Sequence, residues 1–212
     1  MIHDLDRTIL HLLEQEIEAV DKQEIGVSFL PPTGAWSTRI NRPTLNFFLY
    51  DLRENAALRR HVWQPTGSKN GVRYDRPPLS LDCFYLVTAW LSGEDEDRAV
   101  QEHYLLSQCL RALVRYPILN PDQESASADH SKSGLILAGG LAATREEIRT
   151  RLANHDVLTN PAELWSALDN QIKAGFSYVI TLPFDTSITS EADYRVAAFD
   201  IRLRRSQTRP SN

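Results

Sequence analysis

The sequence predicts an α/β fold of the α+β type, in which a mostly antiparallel sheet is flanked by two long helices. Apolar residues recur at alternate positions in four runs that predict strands, at 44–52, 79–91, 176–184 and 194–204. They recur at helical spacing over 3–22 and 94–116, which predicts two amphipathic helices. Since the strands come in hairpin-like pairs, we expect antiparallel pairing, with the helices packed on the sheet.

A single domain is expected over residues 1–204. The chain has 212 residues, 42% of them hydrophobic, which is enough for one sizeable core. The segment 120–134 is nearly free of apolar residues and predicts a mobile loop within that domain. Residues 205–212 are polar and predict a frayed tail.

Each long helix has a predicted apolar face. Carboxylates near both N-termini, Asp4 and Asp6 in the first and 94–97 in the second, suit the helix dipole. The face of the first helix consists of Leu5, Ile9, Leu12, Leu13, Ile17 and Val20. The face of the second consists of Val100, Tyr104, Leu106, Leu110, Leu113 and Val114, and Pro117 ends that helix.

The strand at 44–52 is expected to be covered on both sides. Leu45, Phe47 and Leu49 are predicted on one face, and Phe48, Tyr50 and Leu52 on the other. The polar segment 64–76 reads as a long hairpin loop leading to the strand at 79–91. The side chains expected to be buried in these two strands are Phe47, Leu49, Leu81 and Cys83.

Shorter elements complete the prediction. A strand is expected near 27–30 and another at 146–152. Asn160, Pro161 and Glu163 form a helix start signal for a helix at 161–169. Cys83 and Cys109 lie among apolar neighbours and are read as buried thiols of a cytoplasmic protein.

No pattern in the sequence predicts catalysis, a cofactor or a metal site, and we therefore expect a protein that is not an enzyme. Gly67-Ser68-Lys69 lacks the spacing of a phosphate loop, and Gly139-Gly140 is read as a turn. None of the six histidines pairs with another at i, i+4. His103 and Glu102 occupy adjacent helix positions, which do not face each other.

The net charge and the hydropathy of the chain indicate which partners and which cellular compartment to expect. The net charge of −5 gives no reason to expect nucleic acid as a partner, because phosphate binding needs a basic surface. No apolar run approaches the roughly 20 residues of a membrane span, so no membrane insertion is expected. The N-terminus lacks the basic start of a secretory signal, which predicts a cytoplasmic protein.

The C-terminal segment 194–212 is strongly basic in an acidic chain. It holds five arginines against the single acid Asp200. This pattern has two readings, a solvated strand end or an arm that docks on an acidic partner. The five arginines are Arg195, Arg202, Arg204, Arg205 and Arg209. The candidate interface residues of the chain are Arg73, Arg76, Arg195, Arg202, Arg204 and Arg205.

Four segments carry a resemblance to a known family. They are 41–55 (NRPTLNFFLYDLREN), 76–90 (RPPLSLDCFYLVTAW), 102–119 (EHYLLSQCLRALVRYPIL) and 158–168 (LTNPAELWSAL). In this order they resemble the tube-terminator, or cap, family of extracellular contractile injection systems, which are relatives of contractile phage tails. The resemblance runs from the first helix to about residue 184.

The resemblance implies a structural subunit with a phage tail-terminator-like α/β domain. It further implies a homo-oligomeric ring, six-fold in the family, that closes the inner tube and contacts the last sheath layer. The inner tube protein and the sheath protein are then the partners, and assembly takes place in the cytoplasm within a particle that can be released. Some members look longer and carry an extra C-terminal domain.

Two other functions stay open at this stage. One is a different structural protein, either a baseplate or adaptor protein of the same kind of particle or a phage tail-completion protein. The other is a small cytoplasmic enzyme, against which the lack of a coherent nucleophile, base or metal set argues. A concentration-dependent hexamer favours the ring, whereas a stable monomer with a deep polar pocket favours the enzyme.

Overall fold

The computed structural model describes residues 1–59, 64–68, 71–75, 77–92, 97–120, 137–144, 146–153 and 161–184. The strands are β1 Gly26–Ser28, β2 Thr44–Glu54, β3 Gln64–Ser68, β4 Gly71–Asp75, β5 Leu79–Trp90, β6 Arg149–Leu152 and β7 Gly175–Phe184. The helices are α1 Ile2–Glu16, α2 Glu18–Asp21, α3 Gly34–Ser37, α4 Arg98–Val114 and α5 Pro161–Ala167. Short 3₁₀ turns occur at Ala56–Leu58 and Gly139–Ala143.

Five strands form the main sheet in the order β1-β2-β5-β7-β6. β1 runs parallel to β2, and the other neighbouring pairs are antiparallel. The predicted mostly antiparallel sheet is therefore confirmed for three of its four long strands. The fourth predicted strand, 194–204, and the frayed tail at 205–212 lie outside the described residues, so the single domain over 1–204 stays a prediction.

A β-bulge at Tyr50 changes the predicted facing of β2. The pairing with β5 shifts between Leu49 and Asp51, so that Leu49 lies opposite Tyr85 and Leu52 lies opposite Cys83. The extra residue returns Leu52 to the same face as Leu49. The prediction that Leu52 shares a face with Phe48 and Tyr50 is therefore wrong, because simple alternation cannot anticipate a bulge.

One face of the sheet packs against α1 and α4 and forms the main core. The predicted stripe of the first helix is confirmed, since all six of its side chains are buried. The predicted single helix over 3–22 is wrong, because Ile17 is extended at φ −123° and separates α1 from α2. The sheet contributes Leu45, Phe47, Cys83, Tyr85, Val87, Ala89, Tyr178, Ile180 and Leu182 to this core.

The predicted face of α4 is wrong at three of its six positions, whereas Leu113 is buried and Leu106 and Leu110 are half-buried. Val100, Tyr104 and Val114 are exposed, at 66%, 67% and 59%. The buried stripe is instead Glu102, Leu105, Cys109, Ala112 and Leu113. This stripe includes the small Cys109 and Ala112, and several larger apolar side chains lie outside it. Residues 93–96, which hold most of the predicted acidic start, lie outside the described residues.

Burial in the two central strands follows the prediction in part. Phe47 and Cys83 are fully buried, as predicted. Leu49 and Leu81 are only half-buried, because they lie towards the end of the sheet where β2 becomes exposed. Burial raises the pKa of the Cys83 thiol to about 12 and raises that of Cys109 as well, which keeps both thiols protonated.

The opposite face of the sheet carries an aromatic cluster. Trp90 of β5 packs edge-on against Trp36, with ring centroids 5.4 Å apart, and lies 6.4 Å from Trp165 of α5. The helix predicted at 161–169 is thereby confirmed as α5, although its predicted cap Asn160 lies outside the described residues. These contacts cover the sheet on its second side, as the apolar residues on both faces of β2 predict.

The structure of the segments 64–76 and 146–152 differs from the prediction. Within 64–76, β3 and β4 pair into a two-stranded sheet of their own, so the predicted loop is a β-hairpin. The strand predicted at 146–152 is shorter and begins at Arg149, and Ile148 N donates to Asn120 Oδ1 at 2.6 Å. The predicted mobile loop at 120–134 lies outside the described residues from position 121 onwards.

The turn at Gly139-Gly140 is fastened to the first turn of α1. Gly140 N donates to Asp4 Oδ2 at 3.2 Å, and Ala138 N donates to Thr8 Oγ1 at 3.0 Å. Desolvation alone would raise the pKa of Asp4, but the N-terminal ammonium, Gly140 and His3 outweigh it and lower that pKa. The sequence-based reading of a turn is confirmed, and its anchor is a carboxylate of α1.

Gly139→Ala is expected to lower the free energy of unfolding by about 2 kcal/mol, whereas Gly140→Ala is expected to cost less than about 1 kcal/mol. Gly139 has φ +49°, and a Cβ there would lie 2.1 Å from Asp4 Oδ1. At Gly140 the nearest atom to a Cβ is 3.6 Å away. Urea denaturation of the two variants measures the difference, and equal costs would contradict the described turn.

Candidate interface surfaces

The outer edge of β2 is largely uncovered. β1 pairs with Thr44–Asn46, and no strand in the described part of the chain pairs with Phe47–Glu54 on that side. Gly26 N donates to Pro43 O, and Asn55 N donates to Ser80 O on the opposite side. Antiparallel alternation on both sides of the bulge then directs the main-chain groups of Phe47, Leu49, Leu52 and Glu54 outwards.

A buried polar cluster fixes the end of the sheet beside this edge. The Asp82 carboxylate, 6% exposed, accepts hydrogen bonds from Thr181 Oγ1 at 2.7 Å and Asn55 Nδ2 at 3.2 Å. Arg151 Nη2 lies 3.1 Å from Asp82 Oδ2. These four side chains come from β5, β7, β6 and the residue after β2, so the cluster holds four chain segments in register.

A cleft of about 280 Å³ opens next to the Asp82 cluster. Glu147 and Arg149 form an ion pair of 2.7 Å at its wall, so charges of both signs meet there. Its lining is Leu58, Pro78, Ser80, Glu146, Glu147, Arg149, Thr181 and Pro183. Small-molecule sites are mostly apolar, and this composition suits polar side chains of another chain better.

A second buried charge cluster joins α4 to the start of β7. Glu102 Oε1 accepts hydrogen bonds from Lys173 Nζ at 2.6 Å, Arg98 Nε at 3.1 Å and Leu91 N at 3.3 Å. Lys173 Nζ also lies 4.2 Å from the centre of the Trp90 ring, a cation–π distance. The cluster ties three segments together at the end of the sheet opposite the Asp82 cluster.

The pKa values of both partners of this ion pair are lowered, which favours the ionised form of Glu102 and the neutral form of Lys173. Desolvation alone would raise the pKa of Glu102, but the hydrogen bonds from Lys173 and Arg98 outweigh it and lower that pKa. Desolvation lowers the pKa of Lys173 despite the attraction of Glu102. Three donors converge on the carboxylate, so we take Glu102 as the member whose ionised form stabilises the fold.

Most of the arginines that the sequence analysis names as interface candidates lie outside the described residues. Arg73 lies in β4, whereas Arg76, Arg195, Arg202, Arg204, Arg205 and Arg209 lie outside the described residues. The adjacent His103 and Glu102 form no acid–base pair, because Glu102 is buried against Lys173 and His103 is exposed. Sequence reasoning missed Asp82, Arg151 and Lys173, whose partners are distant along the chain.

The described ranges hold neither a metal-binding group nor a spanning helix. No set of three or more His, Cys, Asp or Glu side chains within them is arranged to bind a metal ion. Among their helices, none combines the length and apolar character needed to cross a membrane. The features that these ranges offer for function are surfaces: the β2 edge, the polar cleft and the exposed side of α4.

Comparison with solved structures identifies the fold. The chain is similar to the PVC sheath/tube terminator of an extracellular contractile injection system in its extended state, with 19% identity and a TM-score of 0.63. It is also similar to the anti-feeding prophage cap, the AFP tube terminating cap, with 18% identity and a TM-score of 0.58. Nearly all of this chain is covered, 99% and 96%, but it spans only 65% and 62% of those chains.

Comparison of sequences identifies the family. No curated protein sequence matches the chain. A family model described as the Pvc16 N-terminal domain matches residues 4–197. Since the match extends over most of the chain, from the first turn of α1 to beyond β7, the protein belongs to the Pvc16 N-terminal domain family.

Proposed function

We propose that this chain is the tube-terminator, or cap, subunit of a contractile injection system. The observation that carries the proposal is the family match over residues 4–197. The likeness of the fold to two solved terminator chains supports it. In this role several copies form a closed ring, six in the family that the sequence resembles, which ends the inner tube and contacts the last layer of sheath.

The proposed role is structural rather than catalytic. Both thiols are kept protonated by burial, and neutral thiols are poor nucleophiles. The buried carboxylates Asp82 and Glu102 are each occupied by several donors of their own chain. These side chains serve to hold strands and helices in place, which suits a subunit that must keep its shape in a ring.

The proposed partners are further copies of this chain, the inner tube protein and the sheath protein, with assembly in the cytoplasm. A ring of identical subunits uses a head-to-tail interface, in which two different surfaces of each copy meet. The uncovered β2 edge and the polar cleft supply surfaces of different chemistry on one subunit. Nucleic acid is not among the proposed partners, since the chain carries a net charge of −5.

Deletion of the gene in the producing strain tests the proposal. Particles from the deletion strain are expected to have tubes and sheaths of irregular length, and the wild-type gene in trans is expected to restore uniform length. Negative-stain electron microscopy measures the length distribution. Particles of normal, uniform length without this chain would overturn the terminator role.

The basic C-terminal segment is proposed to strengthen contacts between the cap and its neighbours. Deleting residues 204–212, or changing Arg202, Arg204 and Arg205 together to Ser, is expected to leave the fold intact. Incorporation into particles is expected to fall, and the difference from the wild type is expected to narrow at high salt, because salt screens the charge pairs that only the wild type makes, over about 8 Å at physiological ionic strength. Quantitative immunoblots of purified particles measure incorporation, and unchanged levels for both variants would show a merely solvated end.

A further inference from the structure

We propose that the β3–β4 hairpin of one copy of this chain adds to the open edge of β2 in the next copy. The proposal rests on the ring role proposed above and specifies which surfaces meet. Both surfaces belong to the same chain and differ from each other, as a closed head-to-tail ring requires. The occupant of the edge is therefore a second copy of this chain.

The β2 edge has the properties of a strand acceptor. From Leu49 to Glu54 its outward main-chain groups have no strand partner in the described part of the chain. Long uncovered edges of this kind invite pairing with another chain, and stable proteins usually shield them. Leu52 is 45% exposed beside the edge, so an added strand would also remove apolar surface from water.

The charged side chains along this edge do not oppose pairing. Asp51 and Arg53 form an ion pair with a separation of 2.5 Å, and Glu54 and Arg59 form another of 2.7 Å. Like charges placed opposite each other destabilise a strand pair, whereas ion pairs that neutralise each other locally present little net charge. The edge is thus polar enough for solubility and nearly neutral towards an incoming strand.

The hairpin has no third strand within the described ranges. β3 and β4 pair with each other and with no strand of the main sheet within the described ranges. An isolated two-stranded hairpin is marginally stable in water, and a third strand or a packed face is needed to hold it. A hairpin without its third strand and an edge without its neighbour are complementary.

The lengths and the connectivity of the two elements agree. Each hairpin strand has 5 residues, which extend over about 17 Å, and the open part of β2 is longer than this. The hairpin is inserted between the end of β2 and the start of β5, so it leaves the sheet at the end marked by the Asp82 cluster. Its strands belong to a separate sheet from β2 of the same chain, which leaves that edge to another copy.

A proline at Leu52 tests the edge directly. The N–H of residue 52 points outwards, so Leu52→Pro removes a donor to the neighbour without removing a hydrogen bond to β5. Leu52→Ala removes the same side chain but keeps the N–H and is the matched control. We expect Leu52→Pro to weaken association about tenfold or more at each interface relative to Leu52→Ala, since one buried hydrogen bond is lost.

Sedimentation velocity of the soluble protein and immunoblots of purified particles measure association, and circular dichroism checks the fold of each variant. If the wild type caps tubes and Leu52→Pro assembles as well as Leu52→Ala, the edge proposal fails while the terminator function stands. If the wild type forms rings in solution but does not cap tubes, the terminator function fails, and the proline comparison still decides the edge.

Hydrogen exchange identifies the partner strand, whichever variant folds. Peptides covering 47–54 and 64–75 are both expected to exchange more slowly in the assembled ring than in the dissociated subunit. Slower exchange in 47–54 together with 194–204, and not with the hairpin, would assign the edge to the C-terminal segment and overturn the proposal. A chain that is monomeric both in solution and in particles would overturn it equally.

Discussion

Replacing Phe47 by alanine is expected to lower the free energy of unfolding by about 3–5 kcal/mol, because the side chain is fully buried and its removal leaves a cavity. The side chain of Phe47 in β2 lies in the core between the sheet and the helices, and its ring centroid is 6.1 Å from that of Phe29. For a chain of this size the melting temperature should fall by roughly 10 °C. Urea denaturation followed by circular dichroism measures the change.

Leu52→Ala on the same strand provides the control. Leu52 is 45% exposed, so its truncation is expected to cost less than about 1 kcal/mol. The contrast between the two positions depends on the described burial and not on strand propensity, which changes in a similar way at both. A cost near zero for Phe47→Ala would show that the core between the sheet and α1 is placed wrongly.

The second large effect is expected at Glu102. Glu102→Gln should lower the free energy of unfolding by about 3 kcal/mol at neutral pH, because it leaves the buried Lys173 ammonium without its charge partner. Both side chains are mostly buried, 12% and 13% exposed, so solvent screens the pair only weakly. The exposed neighbour provides the control, since His103→Gln should cost less than about 0.5 kcal/mol.

The pH dependence of this effect has a definite sign. The pKa of Glu102 is lowered in the folded protein, so its stabilising contribution is present above the ordinary glutamate pKa of about 4.3. The contribution is lost as the pH falls through the lowered pKa. The wild type and Glu102→Gln should therefore differ most near pH 7 and converge below about pH 4, as measured by urea denaturation across this range.

A double variant separates the charge effect from packing. Glu102→Gln combined with Lys173→Met removes both charges and should recover part of the lost stability, because no unpaired charge remains buried. Equal stability of the single and double variants at neutral pH would contradict the proposed coupling. A difference that does not narrow at acid pH would show that the effect of Glu102 is one of shape rather than charge.

The sequence predicts a helix or strand correctly where its apolar residues repeat with one regular spacing along the whole element. The six apolar residues of the first helix were placed correctly, and β2, β5 and β7 were found, because burial on regular elements repeats along the chain. The bulge at Tyr50 interrupts that repeat, so that Leu52 lies on the face of the sheet opposite to the predicted one. The predicted face of α4 is wrong at Val100 and Tyr104, because large apolar residues dominate the pattern, whereas α4 buries Glu102 and the small Cys109 and Ala112.

The site was less predictable than the fold. Asp82 and Arg151, and likewise Glu102 and Lys173, are far apart along the chain, and only the strand order brings them together. A charged residue within an otherwise apolar strand is a signal for a buried partner, and Asp82 carried that signal. The family resemblance, in contrast, came from the order of short segments and agrees with the family to which the chain belongs.

Cryo-electron microscopy of intact particles from the producing strain tests the central claim most directly. The terminator role predicts a closed ring of this chain at the end of the inner tube, in contact with the last sheath layer, and no copies elsewhere in the particle. Density for this chain in the baseplate, or particles whose tube ends carry no copy of it, would contradict the account.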